Sequence, residues 1–361
     1  MLKRSSAFTL VILLIISSLI FARDIVKIDK IIPADSKIKD ISVHSDLDNA
    51  ILRFSTHGSG DLLKGRLRYD ADKMDVEFEY DDSKPAAGLT ITADKLRRWG
   101  NVDIDDCRMQ LSFSQDYIWE FDLDIGGAEY DFDFSGLPIK KLNLDIGAAE
   151  GRIIFEQPNP EKIRLLNIQA GAGDFEFQGL GYANFENFEF NCGAGEVELN
   201  FDGQSSGHRK AIIDVGIGDV LIDIPRDLPV RIETDGGLLS DIKIRRAKLE
   251  KVRRGVYQSP DYDDAEYSLE IEIDVGMGSA VISKGNSIME IFGDDWDFRR
   301  EGGFFAGHNL GLPEFRALPA IPAMPAPAAF EIPPLPKLPP VPPIPPIPAI
   351  PIGGKRIKIP D

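Results

Sequence analysis

Acidic residues recur at one fixed place in a segment that the chain repeats. Each lies three residues after a glycine, in stretches such as "IGGAEY", "IGAAEG" and "AGAGDF". The six carboxylates at this place, which we call the acidic ladder, are Asp61, Glu129, Glu150, Asp174, Glu196 and Asp219. If the repeats stack as strands in register, the last five form a row with neighbours about 4.8 Å apart. Like charges at this spacing repel each other, so some other group must offset them.

Three arrangements would offset this repulsion, and the sequence leaves all three open. The carboxylates can face water, where dissolved salt screens them. Each can accept hydrogen bonds from the glycine backbone of its own bend. A row of oxygen ligands can also bind divalent cations such as Ca²⁺. Calcium-binding β-roll repeats recur about every nine residues, whereas this segment recurs every 20–24 residues. The letters of the repeat therefore predict no metal site.

Residue patterns typical of enzymes are missing from the sequence. The four histidines, His44, His57, His208 and His308, lie outside metal-ligand spacing of one another. There is no H-E-x-x-H or P-loop motif, and the glycine doublets lie between predicted strands rather than before a helix. A catalytic pair of carboxylates is local and interrupts a repeat, whereas the ladder follows the repeat. We therefore predict a protein that is not an enzyme and uses no cofactor; a carbohydrate-active β-helix with paired carboxylates is the enzymatic alternative.

Glycines mark the centre of each repeat. The structural glycines expected at bends are Gly58, Gly126, Gly147, Gly171, Gly193, Gly216 and Gly276, with Gly236 as a further anchor. Successive gaps after Gly126 are 21, 24, 22, 23, 20 and 40 residues. A G-x-G core with little side chain suits a bend where the backbones of neighbouring repeats approach closely.

Alternating runs on both sides of each glycine predict strands. "FDLDI" precedes Gly126 and "EYDFDF" follows it, so apolar and polar residues change places at every step. Helical spacing is almost absent. We therefore predict an all-β fold: a single-stranded β-solenoid of about 22-residue rungs, each stacked on its neighbours. Residues 66–122 read as longer strands, and we predict an antiparallel β meander that caps the first rung, with "GSGD" (residues 58–61) as an isolated first copy of the signature.

Proline dominates the end of the chain, where 17 of the 25 prolines lie in residues 313–361. Such a segment forms polyproline II or stays disordered. An aliphatic residue recurs at every third position, and polyproline II has about three residues per turn, so these side chains would share one face. This tail stripe is Ile332, Leu335, Leu338, Val341, Ile344, Ile347 and Ile350. The sequence leaves two alternatives open: the stripe docks on a partner or on the solenoid, or the tail is disordered.

The N-terminal residues and the charge predict a place outside the cytoplasm. Residues 1–22 combine Lys3 and Arg4 with an uncharged run of 16 residues, which is typical of a cleaved signal peptide. The net charge is −18; residues 1–22 and 302–361 each carry +2, so residues 23–301 carry −22. A body this acidic repels nucleic acid.

Cys107 and Cys192 are the two cysteines; pairing is open, and a buried thiol is the favoured interpretation of Cys192.

Five segments follow from these patterns. They are a signal peptide (residues 1–22), an N-terminal β cap with the first rung (23–122), the β-solenoid (123–292), a linker (293–312) and the Pro-rich tail (313–361).

The order and wording of these motifs resemble a known family. "HGSGD", a meander ending in "YIWEFDLDIGGAEYDFDF", "IQAGAGDFEF", "CGAGEVELNF" and "DVGIGDVLIDIP" are similar to the toast-rack proteins related to the LiaF-like, cell-wall-active-antibiotic-response group. The resemblance covers about residues 40–283. It implies a β-solenoid, an envelope location, and a role in envelope stress sensing or adhesion. LiaF-like proteins usually carry several membrane helices, whereas no apolar run of that length follows residue 22 here.

These observations predict a non-enzymatic interaction or scaffold module of the cell envelope. Its partner would be a protein or another envelope component, with no nucleic acid and no stable transmembrane segment after signal cleavage. A Ca²⁺-dependent adhesive solenoid is the alternative binding function.

Overall fold

The computed structural model describes residues 24–82, 86–96, 104–203, 206–245 and 249–285, without the side chains of residues 236–238. The predicted signal peptide, the linker, the Pro-rich tail and its aliphatic stripe lie outside the described residues. No helix within the described ranges is long and apolar enough to cross a membrane.

The described chain consists of β-strands with one short 3-10 turn at Ile104–Asp106. The shorter strands at the N-terminal end are β1 (Ile25–Ile32), β2 (Asp40–Leu47), β3 (Ala50–His57), β4 (Leu63–Asp70), β5 (Met74–Asp81), β6 (Ala87–Lys95) and β7 (Cys107–Ser114). The long strands that follow are β8 (Ile118–Asp133), β9 (Ile139–Ile154), β10 (Ile163–Gln178), β11 (Phe185–Asn200), β12 (His208–Ile224) and β13 (Val230–Arg245). A hairpin of β14 (Glu250–Arg253) and β15 (Val256–Gln258) precedes the last long strand, β16 (Ser268–Lys284).

Each long strand bends at its glycines, so that one strand supplies both sides of a rung. In β8 the buried positions are odd-numbered up to Ile125 and even-numbered from Ala128, which shows that the strand changes phase at the bend. Phe190, before the bend of β11, contacts Phe175 and Phe177, after the bend of β10, at ring-centroid distances of 5.8 and 5.4 Å. The two halves of the rungs therefore face each other across one core.

Parallel pairing in register joins β8 to β9, β10, β11 and β12 in that order. The all-β solenoid prediction is thus confirmed. Its core is rich in aromatic side chains, including the fully buried Trp119, Phe121 and Phe188. Burial of each such side chain stabilises the fold by about 1.5–3 kcal/mol. Cys107 and Cys192 are both free and buried in this core.

The first rung is built from two strands rather than one. β2 pairs with the first half of β8, and β3 pairs with its second half. Asp48 and Asn49, between β2 and β3, therefore occupy the bend, and Asn49 has a positive φ of 44°. The predicted first bend at Gly58 is wrong, because Gly58 follows β3 in the loop that leads to β4. "HGSGD" therefore matches the repeat motif in sequence but does not form a bend of the stack.

The N-terminal cap covers this first rung with two branches. On one side β6 pairs in parallel with β2 and antiparallel with β5. On the other side β7 pairs in parallel with β3 and antiparallel with β4, which pairs in turn with β1. The cap therefore contains the antiparallel pairs that a meander predicts, but parallel pairs join it to the stack.

The last rungs do not follow chain order. β16 lies between β12 and β13 and is parallel to both. A Cβ added at Gly276 would lie 2.6 Å from the carbonyl oxygen of Gly216, which confirms that these two bends stack directly. β13 is consequently the last rung of the described stack, and β15 pairs with it from Arg231 to Glu233.

Arg209 is a charged side chain that is buried among apolar residues. Arg209 of β12 is in register with the buried Leu269 of β16 and is only 4% exposed. Its guanidinium lies 5.0 Å from the Phe185 ring centroid, and Nη1 donates to the Gly181 carbonyl oxygen at 3.4 Å. Nε and Nη2 have no hydrogen-bond partner in the described part of the chain. Burial lowers the pKa of Arg209 to about 10.

Candidate functional site at the bends

The bends stack so closely that there is no room for a side chain at their glycines. A Cβ added at Gly147 would lie 2.3 Å from the carbonyl oxygen of Gly126. At Gly173, where φ is +144°, an added Cβ would lie 1.7 Å from the Ala149 carbonyl oxygen. Backbones this close require glycine. The residues on either side of the glycines are therefore carried at one regular spacing along the stack.

The acidic ladder runs along this line of bends. In-register neighbours are Glu129, Glu150, Asp174, Glu196 and Asp219, followed by Ser279 of β16 and Asp241 of β13. Sequence reasoning missed Asp241, because the bulge between Gly236 and Leu239 shifts it to five residues after its anchor glycine. Asp61 lies outside the row, in the loop after β3, where its backbone carbonyl accepts a hydrogen bond from His57 Nε2 at 2.8 Å.

A second polar row lies on the other side of the bend glycines. We call it the pre-bend row, and its members are Asp46, Asp124, Asp145, Gln169, Asn191, Asp214, Asp274 and Asp235, in spatial order. Asp145, Gln169, Asn191 and Asp214 line an open depression of about 440 Å³. The sequence repeats an Asp two residues before the glycine, but the sequence analysis considered only the acidic position after the glycine and did not predict this row.

The carboxylates of both rows are held in a surplus of negative charge. Burial raises the pKa of Glu196, and Asp174 and Asp219 raise it further. Burial, Asp214 and Asp235 likewise raise the pKa of Asp274. Among the described residues, none of the ladder carboxylates from Glu129 to Asp219 and none of the pre-bend carboxylates forms an ion pair. Asp241 is the exception at the end of the ladder, since Lys243 Nζ lies 2.7 Å from it.

An apolar ridge separates the two rows at the C-terminal end of the stack. The residue after the anchor glycine is small in the earlier rungs: Gly127, Ala148, Ala172 and Ala194. The in-register residues of the last three rungs are Ile217, Met277 and Leu239. These three, which we call the apolar ridge, are 55%, 45% and 67% exposed. Large apolar side chains are thus exposed between a row of three aspartates (Asp214, Asp274 and Asp235) and a row formed by Asp219, Ser279 and Asp241.

One cluster of acids has the spacing of a metal site. Carboxylate oxygens of Glu233, Glu270 and Glu272 lie within 4.8 Å of one another. Lys210 Nζ already lies 2.8 Å from Glu272, and Arg253 Nη2 lies 2.7 Å from Glu233. These cations supply the charge that a bound ion would otherwise supply, so the cluster is explained by its ion pairs.

One family model matches the first part of the chain. Residues 22–177 match the family model of Toast_rack_N, the N-terminal domain of toast_rack, DUF2154. This match confirms the toast-rack resemblance from the cap through β10. No curated protein matches the chain.

Three of the solved structures that match the chain resemble it weakly. A proposed cell adhesion protein from Clostridium sporogenes is 17% identical, covering 72% of this chain and 100% of its own, with a TM-score of 0.40. A proposed adhesin from Bacteroides fragilis is 10% identical, covering 73% and 98%, with a TM-score of 0.29. A proposed lipid-binding protein from Parabacteroides distasonis is 13% identical, covering 73% and 97%, with a TM-score of 0.32. Likenesses of this size assign no function to this chain.

Proposed function

We propose that this protein is a non-enzymatic interaction module of the cell envelope, and that its line of bends binds a cationic partner with an apolar centre. The observation that carries the proposal is the apolar ridge, which has Asp214, Asp274 and Asp235 on one side and Asp219 on the other. None of these four carboxylates forms an ion pair with a described residue. Such a surface is complementary to a segment that presents lysine or arginine on both sides of apolar side chains.

Electrostatics favours a cationic partner. The raised pKa values of Glu196 and Asp274 show that their negative charge is unfavourable in the folded protein. A bound cation stabilises the charged form and lowers those pKa values. The binding energy therefore includes relief of repulsion already present in the free protein, and it weakens as salt screens the charges.

The apolar ridge adds a contact that charge alone does not provide. Scattered exposed apolar residues are ordinary, whereas a contiguous group marks an interaction surface. Ile217, Met277 and Leu239 are contiguous because their strands are in register. Their burial by a partner would contribute about 25 cal/mol for each Å² of apolar surface removed from water.

An envelope location and the lack of catalysis complete the proposal. The signal-like residues 1–22 and the toast-rack match support a place outside the cytoplasm, in envelope stress or adhesion. His57 contacts Ser112 Oγ at 3.0 Å through Nδ1, but its Nε2 contacts a backbone carbonyl rather than a carboxylate. This pair therefore lacks the orienting acid that nucleophilic serine requires.

The Pro-rich tail is a second interaction element in this proposal. As polyproline II, its stripe from Ile332 to Ile350 would present an aliphatic face suited to an extended groove. The bend surface and the tail can be tested separately, since their residues are far apart in the sequence.

Peptide binding tests the bend surface. The probe is a synthetic amphipathic peptide of lysine and leucine, with a glutamate and leucine peptide of the same pattern as the control. We expect fluorescence anisotropy to show binding of the first peptide alone, with affinity falling at least tenfold between 50 and 300 mM salt, as expected for several exposed charge contacts. Substitution of all three ridge residues by serine should weaken binding, whereas Ile31→Ser with Val252→Ser, at exposed sites on β1 and β14, should leave it unchanged. Equal binding of both peptides would contradict the proposal.

A pull-down from envelope extract tests the tail. The full chain and a chain ending at residue 312 are compared, and melting curves of both are recorded. Loss of a captured partner with unchanged melting assigns binding to the tail. A lower melting temperature with unchanged capture would show instead that the tail stabilises the protein.

A further inference from the structure

A polar depression lies where three neighbouring strands begin. It has a volume of about 400 Å³, within the roughly 300–1,000 Å³ that is typical of small-molecule sites. β11 and β12 supply Asn187, His208 and Lys210, β16 supplies Glu270, and the connection from β15 to β16 supplies Tyr262 and Asp263. His208 precedes the bend glycine Gly216 by eight residues, which is roughly 26 Å of strand. The depression is therefore separate from the line of bends.

Contacts within the protein hold two of the lining side chains in place. His208 Nδ1 lies 2.8 Å from Ser268 Oγ, across the pairing of β12 with β16. The Asp263 carboxylate accepts a hydrogen bond from Gln258 Nε2 at 2.9 Å. A side chain that is already ordered loses little conformational entropy when a ligand binds. The depression is therefore partly organised for binding in the free protein.

Hydrogen-bond acceptors are concentrated in this depression. An ionised carboxylate has about four acceptor positions, so Asp263 can accept more than the bond from Gln258. Glu270 forms no ion pair with any residue in the described ranges. Asn187 uses Nδ2 to donate to the Arg164 carbonyl oxygen at 3.2 Å, which leaves Oδ1 as its acceptor. A ligand for this depression must therefore be rich in donors.

An aromatic ring and a cation lie beside these acceptors. Tyr262 is half-buried, and burial together with the charge of Glu270 raises its pKa, which places the two side chains near each other. Lys210 Nζ lies 2.8 Å from Glu272, and an ammonium group has three donors. The depression thus combines an apolar ring, a donor and several acceptors.

We propose that this depression binds one unit of an uncharged polysaccharide of the envelope. Each sugar hydroxyl donates one hydrogen bond and accepts others. Neighbouring hydroxyls can therefore donate to Glu270 and Asp263 while one of them accepts from Lys210. The C–H face of a sugar ring is apolar and can pack on the ring of Tyr262, whose aromatic body is apolar as well.

An acidic sugar does not fit this environment. Carboxylate oxygens of Glu233, Glu270 and Glu272 lie within 4.8 Å of one another at the edge of the depression. A further carboxylate would be repelled by this concentration of negative charge. The site goes beyond the proposed peptide-binding function of the bends, because it uses other residues and another class of ligand.

Titration calorimetry of the full chain tests the proposal. The probes are four uncharged tetrasaccharides, of glucose, galactose, mannose or N-acetylglucosamine, and one acidic tetrasaccharide of galacturonic acid. We expect at least one uncharged probe to bind with a dissociation constant on the order of 0.1–1 mM. The acidic probe should bind at least tenfold more weakly than that one.

Two matched pairs of variants locate the site. Tyr262→Leu and Asp263→Ala should each weaken saccharide binding at least fivefold, because one removes the ring and the other removes an acceptor. Tyr267→Leu and Asp264→Ala, at exposed neighbouring residues that do not line the depression, should change it less than twofold. Unchanged melting temperatures would show that the variants fold.

Several results would overturn the proposal. They are no binding of any uncharged probe at 10 mM, equal binding of the acidic probe, and equal losses in both members of a variant pair. Displacement of the saccharide by the lysine and leucine peptide would also overturn it, since the two sites would then be one. Substitution of the apolar ridge by serine should leave saccharide binding unchanged, so failure of this site and failure of the bend surface can be told apart.

Discussion

Asp219 accepts two hydrogen bonds from Ser279, one from its backbone N–H at 3.0 Å and one from its hydroxyl at 2.5 Å, although the two residues are 60 apart in the sequence. Ser279 stands where the other long strands from β8 to β13 carry a carboxylate. β16, the last strand in the chain, thus lies between β12 and β13 with a hydrogen-bond donor at this position, where a carboxylate would repel Asp219 and Asp241.

Ser279 should accordingly be sensitive to charge. Ser279→Asp would place three carboxylates in consecutive rungs with Asp219 and Asp241, so we expect a loss of about 1–2 kcal/mol in the free energy of unfolding. The neutral Ser279→Asn, of similar shape, should lose less. Urea unfolding measures both, and equal losses would show that size rather than charge decides.

The bend glycines should be intolerant of any side chain. Gly173→Ala brings a Cβ to 1.7 Å from a backbone oxygen at a positive φ. We expect a loss of more than about 3 kcal/mol, or failure to fold. Gly58→Ala is the matched control, since no atom lies within 4 Å of its added Cβ. A comparable loss at both glycines would contradict the assignment of the first bend to Asp48 and Asn49.

Glu198 should make stability depend on pH. Burial, Glu176 and Asp223 raise the pKa of Glu198 from 4.5 to about 7. The folded protein therefore holds a proton that the unfolded chain has released between these pH values, so stability falls as the pH rises through that window. We expect Glu198→Gln to stabilise the protein by about 2 kcal/mol at pH 8 and to change little at pH 4.5. The exposed Glu266→Gln is the control. Greater wild-type stability at pH 8 than at pH 5.5, measured by urea unfolding, would reverse the predicted sign.

Arg209 should cost stability where it lies. Its burial without full hydrogen bonding is unfavourable, and its in-register neighbour Leu269 is apolar. Arg209→Leu should raise the free energy of unfolding by roughly 1–4 kcal/mol, as apolar replacements of buried charges do. Arg66→Leu, at an exposed site, should change it little. A destabilised Arg209→Leu variant would show that the guanidinium has a partner in solution.

The sequence predicted the fold through two simple signals. Glycines every 20–24 residues marked the bends, and alternation around Gly126 and Gly193 marked the strands. Both signals are local, because steric exclusion and side-chain alternation act within one strand and its neighbours. The in-register ladder from Glu129 to Asp219 followed from them.

Other features depended on long-range pairing that local patterns do not encode. The position of β16 between β12 and β13 depends on which strand edges pair. "HGSGD" matches the repeat motif but lies in a loop rather than at a bend of the stack. The apolar ridge was not predicted, because Ile217 and Met277 occupy the variable position x of the G-x-G motif. The burial of Arg209 was not predicted, because an alignment on the bend glycines does not compare the first residues of each strand.

Hydrogen exchange of the full chain with and without the lysine and leucine peptide tests the proposed binding surface most directly. We expect added protection of backbone amides in residues 214–219, 235–241 and 274–279, around the apolar ridge and its flanking carboxylates. Protection confined to other strands or to the tail, or no protection at peptide concentrations that saturate binding, would contradict a binding function of the bends.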